Sequence, residues 1–249
     1  MAVAESWLSR NHFLVRRLHS LTGIIPVGAF LIEHLLTNSL ALRGPEAFNK
    51  QVQWIQEMPF LLALEVIFIF VPLAFHAIYG VAIALESKPN QNQYPYMDNW
   101  RYTLQRVTAW IAVVFILAHV LHFRFAYLFG GPVYSEAPGE LKYYLLTWQG
   151  FRVVFPLGVW IAIYAIGTLA VIYHFCNGIA TFCITWGITV GDKSRKRVLA
   201  GASVVGVILA IWAGMSLYAF AAKPLPPQAA DTVAGFVMPP IWGIVIALA

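Results

Sequence analysis

Apolar residues in this chain come in long unbroken runs, not in the alternating or three-and-four spacing of half-buried elements. Five runs, roughly 21–42, 60–85, 104–129, 152–178 and 198–221, reach the length in question: a helix crossing about 30 Å of hydrocarbon needs about 20 apolar residues. Short polar segments separate them, such as SKPNQNQYPYMDN from Ser87. The fourth run continues as ATFCITWGITV toward Val190, as helix or interfacial chain. A last stretch, Ala234 to Ala249, is apolar but short and broken by Pro239-Pro240. The pattern predicts an all-α integral membrane bundle of five transmembrane helices over 1–222. An interfacial or partly inserted tail is expected over 223–249.

Composition agrees and excludes other classes. Of 249 residues, 60% are hydrophobic and 11% charged, and mean hydropathy is +0.71, whereas soluble domains run about 45–50% apolar and about 25% charged. A cytosolic globule, a disordered chain and a large soluble catalytic domain are all excluded. Cys176 and Cys183 provide no disulfide framework and no C-x-x-C pair. The N-terminal MAVAESWLSRNHFLVRRLHS lacks an apolar core followed by a cleavage site, so no removable signal is expected there.

Loop charges predict orientation. The N-terminal segment, the 86–103 loop and the 187–197 loop collect Arg10, Arg16, Arg17, Lys88, Arg101, Lys193, Arg195, Lys196 and Arg197, with Arg106 just inside the third span. The opposite side has Arg43, Lys50, Arg124, Lys142 and Lys223, with Arg152 at its edge. The N-terminus is therefore expected inside. A net charge of +5 suits an inner face meeting anionic lipids or an acidic partner. No basic face stands clear of the membrane, so nucleic-acid binding is not expected.

Ionisable groups at membrane depth are rare and usually functional. Four spans each carry a deep histidine: His34, His76, His119 and His174. One buried imidazole is most simply bonded to a neighbouring helix. Four on four helices, with none on the fifth, call for a shared role. Counting from span ends at about 1.5 Å per residue puts His34 and His119 about 20–23 Å from the inner surface, His76 about 14 Å from it, and His174 shallower still. Two levels result. Local sequence supports the pairing, since span two reads FHAIYGVA around His76 and span four YHFCNGIA around His174. Gly80 and Gly178 lie one turn from their histidines, where a missing side chain admits a flat group or serves ordinary helix packing.

Facing neutral imidazoles make good axial ligands for haem iron, and two levels imply two haems carrying electrons. Zinc transport is a weaker reading, because such a site wants carboxylates grouped with histidines at one depth. The intramembrane acids are Glu33 and Glu65. A proton relay meets the same difficulty.

RRLHSLTGIIPVG from Arg16, FLIEHL from Phe30, FHAIYG from Phe75, LQRVT from Leu104, HFCNG from His174 and TWGITV from Thr185 resemble the diheme cytochrome b membrane anchor of succinate:quinone oxidoreductase, the five-helix single-chain type. The likeness covers roughly residues 12–220. It implies two b haems, the proximal held by His76 and His174 and the distal by His34 and His119. It also implies a bacterial cytoplasmic membrane location and menaquinone as electron acceptor. With no flavin-binding fingerprint and no cysteine set for iron–sulfur clusters, the chain has no succinate-oxidising site. A flavoprotein and an iron–sulfur subunit are expected on its inner face. Succinate oxidation, fumarate reduction or service to another quinone-linked dehydrogenase all fit this resemblance; a histidine-based metal or proton transporter is the alternative of a different class.

Two departures stand out. Fumarate-reducing relatives can carry a glutamate two residues before the fourth ligand, where this chain has Ile172, and His122 is an extra candidate beside His119, set aside because the motif aligns on His119. Arg16, Arg17, His19 and Arg106 are candidate donors to the inner haem's propionates, or anchors of helix ends in headgroups. Trp54, Trp100, Trp110 and Trp148 read as interfacial belt residues. In WIQEMPF before span two, Glu57 with Gln56 is a candidate for handling protons at an outer quinone site, or a solvated loop acid.

Overall fold

The computed structural model describes residues 10–129, 141–152 and 154–225; most of the expected interfacial tail, from 226 on, lies outside the described residues. Every described element is helical, and five are long and apolar enough to cross a membrane: His12–Leu42, Leu61–Leu85, Met97–Phe123, Leu157–Thr185 and Asp192–Ala221.

The first comprises α1 (His12–Ile24), α2 (Pro26–Ser39) and a 3₁₀ turn, Leu40–Leu42. Its interruption follows from Pro26, which has no N–H to donate. The ladder resumes around it, Ile25 donating to Leu21 O at 2.9 Å and Ala29 to Ile25 O at 3.2 Å. Gly44, at φ +136°, turns the chain into α3 (Pro45–Gln56), a conformation that suits glycine alone. The second crossing helix is α4 (Leu61–Glu65), a π turn over Val66–Phe70, and α5 (Val71–Leu85). The wide turn ends where Val71 donates to Val66 O, immediately before Pro72, whose missing N–H would break a regular ladder.

The remaining helices are α6 (Met97–Phe123), α7 (Lys142–Gly150), α8 (Leu157–Thr185) and α9 (Asp192–Ala221). Three begin well ahead of the apolar runs, at His12, Met97 and Asp192. Counting apolar residues finds only the hydrocarbon part, whereas the helix continues into the polar layer. Asp98 and Asp192 occupy first turns there and complement the helix dipole. Conversely, α6 ends at Phe123, short of residue 129, and α8 starts at Leu157, after Pro156.

The chain divides into two compact units. One comprises Met1–Ile32, Leu62–Trp110 and Val171–Val207, the other Glu33–Leu61, Ile111–Ala170 and Ile208–Ala249. In the first, α1 packs against α5, and Phe175, Cys176, Ala180 and Ala202 are buried. In the second, α3 packs against α7 around Phe48, Val52, Tyr144, Phe151, Trp160 and Phe220.

Helix α7 is an element that the apolar runs do not predict, lying between the third and fourth of them. Seven of its nine residues are buried, from Tyr143 to Thr147 with Gln149 and Gly150. Nine residues are too few to cross a membrane, and burial on all sides erases any amphipathic period. Trp148 also differs from a plain belt residue. Its indole donates to Lys223 O at 3.4 Å and carries the Arg152 guanidinium 3.4 Å from its ring. Ile78 at 74% exposed and Val114 at 68% show the opposite face of such helices, apolar because lipid, not water, is its solvent.

Candidate functional site

In the first unit α5 and α8 bring His76 and His174 together, with ring centroids 6.1 Å apart and planes 86° apart. Each ring is turned by a backbone carbonyl. His76 Nδ1 donates to His19 O at 2.8 Å, and His174 Nδ1 donates to Gln105 O at 3.1 Å. A carbonyl can only accept, so both protons sit on Nδ1 and both Nε2 lone pairs are left bare. Gln105 fixes its own carbonyl by returning Nε2 to His174 O at 3.1 Å. Its Oε1 accepts from Asn177 at 2.8 Å, and Asn177 Oδ1 accepts from Arg101 at 2.7 and 3.1 Å.

His76 lies directly against Gly23, where any Cβ would collide with the imidazole. His19 stacks on His76 at 4.1 Å and 11°. Its ring occupies the space over Gly80, 3.0 Å from where a Cβ would be. At Gly178 the nearest atoms to a Cβ would be Ile24 Cδ1 at 3.8 Å and Gln105 Nε2 at 3.9 Å, ordinary contact distances. The two glycines, alike in sequence, therefore have different surroundings.

The four basic candidates near this pair also differ. Arg16 pairs with Glu86 at 3.4 Å, both well exposed. Arg106 lies over the Tyr102 ring at 3.4 Å and donates to its backbone oxygen at 3.0 Å. Arg17 donates one guanidinium nitrogen to Thr185 O at 3.3 Å. Its Nε and His19 Nδ1 are buried polar atoms with no protein partner. Such groups are costly unless something accepts from them.

In the second unit His34 on α2 faces His119 on α6, centroids 5.7 Å apart and planes 78° apart. His119 Nδ1 meets Tyr164 Oη at 3.1 Å, and His122 Nδ1 meets the same hydroxyl at 3.1 Å. His122 Nε2 donates to Gly150 O at 3.1 Å, and the ring stacks on Trp160 at 4.2 Å and 7°. Both nitrogens of His122 are thus engaged. The Asn38 amide donates to His34 O at 2.8 Å and lies 3.5 Å from His34 Nε2. Glu33 accepts from Thr37 at 2.5 Å. Glu57 closes α3, exposed, accepting from Gln53 Nε2 at 2.7 Å; Gln56 is its half-buried neighbour. The Glu57 bond is local, to a residue one turn back at the end of α3.

What could such pairs hold? Two imidazoles sharing one metal at about 2 Å from each nitrogen have centroids about 6 Å apart, as both pairs do. Among the described residues no three His, Cys, Asp or Glu converge on one point. A tetrahedral ion wants three or four protein ligands, whereas a haem brings four nitrogens of its own and asks for two. Bare Nε2 atoms on His76 and His174, an unpartnered buried donor at Arg17 Nε and an unpartnered His19 Nδ1, which can donate to a carboxylate in one tautomer, fit that group. Sequence reading missed Gly23, Gln105 and Tyr164; the helical motifs contain the first two, but nothing local marks their contacts.

No family model matches the chain. It is 39% identical over 210 residues to the succinate dehydrogenase cytochrome b558 subunit of Bacillus subtilis, covering 84% of this chain and 98% of that protein. Identity at that level over nearly the whole relative, with five crossing helices, shows kinship. The chain belongs to the succinate dehydrogenase cytochrome b558 subunit family.

Proposed function

We propose that this chain is the quinone-linked cytochrome b subunit of a bacterial respiratory complex II, spanning the inner membrane with its N-terminus inside. The observation that carries the reading is the pair of near-orthogonal histidine couples, one in each unit, joined by no third His, Cys, Asp or Glu among the described residues. Two haem b groups, when bound, supply one-electron centres that link the soluble partners to quinone. His76 and His174 would hold the inner one and His34 and His119 the outer one.

The chain's own residues bind and orient. The carbonyls of His19 and Gln105 keep the inner imidazoles in the tautomer that ligates through Nε2. Arg17 and His19 are the favoured propionate donors, since their buried atoms want an acceptor. Arg16 and Arg106 have partners in Glu86 and Tyr102 and are second choices. A flavoprotein and an iron–sulfur subunit dock on the basic inner loops. Menaquinone is reduced near the outer pair, with Glu57 and Gln56 passing protons. The exposure of Glu57 suits exchange with solvent. A metal or proton transporter is disfavoured by the two-ligand sites.

Reduced-minus-oxidised spectra of the purified complex should show low-spin haem b at about two per chain. Colourless protein would overturn the reading. His34→Ala and His119→Ala should lose the same redox component and His76→Ala the other; a shared loss between His34→Ala and His76→Ala would refute the pairing.

A further inference from the structure

His122 and Tyr164 are strictly placed yet have no part in the function so far. His122 Nε2 faces only a carbonyl, Gly150 O at 3.1 Å, so that nitrogen keeps the proton. A neutral His122 then offers a lone pair at Nδ1. Tyr164 has a single hydroxyl proton and gives it to that lone pair at 3.1 Å. Its oxygen can therefore only accept from His119, whose Nδ1 lies 3.1 Å away. His119 must carry its proton on Nδ1 and turn a bare Nε2 to its partner histidine. The order runs in one direction from a backbone carbonyl three bonds away, and the Trp160 stack at 4.2 Å holds the His122 ring in plane.

We infer that Tyr164 and His122 are positioning residues that set the tautomer and the donor strength of the outer ligand His119; the inference rests on His119 being that ligand. A hydrogen bond accepted from Nδ1–H makes the opposite nitrogen a stronger donor to iron and favours the ferric state. A hydroxyl that is itself donating accepts more strongly. The chain thereby holds the outer haem's potential down. The first unit obtains the same effect from carbonyls; the second uses side chains, which can be altered without touching the backbone.

The test is redox titration and electron paramagnetic resonance of membranes holding the intact complex. In Tyr164→Phe the oxidised-to-reduced ratio of the outer haem at fixed potential should fall about tenfold, which is about 59 mV for one electron. The inner component should stay in place. His122→Phe frees the hydroxyl from donating and should give a smaller shift in the same direction, whereas His122→Gln retains an acceptor and should restore most of it. Changed g-values of the outer ferric signal should accompany the shift. Should Tyr164→Phe lose the outer component altogether, His122→Phe decides, and an unmoved potential there overturns the inference. Two components in the wild type, with neither moved in either variant, would overturn it alone. A wild type without the outer component would overturn the ligand assignment as well.

Discussion

Gly23 shows how much a single absent methyl group decides. The His76 imidazole occupies the place of its side chain, so Gly23→Ala must displace a ring already bonded to His19 O at 2.8 Å. The expected outcome is loss or a large potential shift of the inner haem with the outer one retained, read by titration. Gly178 gives the converse case. Protein atoms stand 3.8 Å or more from a Cβ there, so Gly178→Ala should accumulate normally in membranes. If a macrocycle packs on that glycine, its haem content should still fall; full content would place the flat group elsewhere. Arg17 and Arg16 are also separable. Arg17→Ala should move the inner potential more than Arg16→Ala, because the Arg16 charge is already paired on the surface, where such pairs contribute about 0–1 kcal/mol.

Among the elements, α7 and the end of α9 form one structural device in the second unit. The last carbonyls of a helix lack partners within it. Here Arg152, following α7, donates to Phe220 O at 2.9 Å and Ala221 O at 3.3 Å while also closing α7 at Trp148 O, 2.7 Å. Burial makes that charged form less favourable, so its guanidinium proton is held below the usual value, and the carbonyls offset this. Arg152→Met should destabilise this unit by about 1.5–3 kcal/mol, the usual range for hydrogen bonds to a charged group. Phe48, 2% exposed and edge-on to Phe220 at 5.2 Å, fixes α3 to the same end. Phe48→Ala should cost about 3–5 kcal/mol through the cavity it leaves. Thermal loss of the outer haem signal in purified complex would measure both. An unchanged melting profile in Arg152→Met would mean water serves those carbonyls equally well.

At the scale of the whole molecule, the division of labour is set by charge and lipid. On the proposed reading the basic loops would face the soluble partners, while the exposed apolar helix faces, such as those bearing Ile78 and Val114, suit acyl chains. If quinone is reduced at the outer side, as proposed, electrons would move outward and protons would be taken up outside. Negative charge then crosses the membrane, worth about 2.3 kcal/mol per charge per 100 mV, and an inside-negative potential assists the transfer. Glu57→Gln should slow quinone reduction while both haems remain and succinate still reduces an artificial acceptor. Normal turnover in that variant would remove Glu57 from the mechanism, and turnover in intact cells insensitive to uncoupler would argue against an outer site.

Sequence alone determined how many helices are long and apolar enough to cross, which four carry the deep histidines, and which rings lie side by side, His76 with His174 and His34 with His119. The reason is local: hydrocarbon demands long apolar runs and admits few polar groups, so each exception stands out and its depth can be counted. Tertiary structure decided the rest. The partners that orient the paired histidines come from 57, 69 and 45 residues away, and no local pattern records which carbonyl or hydroxyl a ring will find. The burial of α7 is likewise legible only in its neighbours. Polar satisfaction in a low-dielectric interior is a property of packed helices, and it is there that Gly23, Gln105 and Tyr164 acquire their meaning.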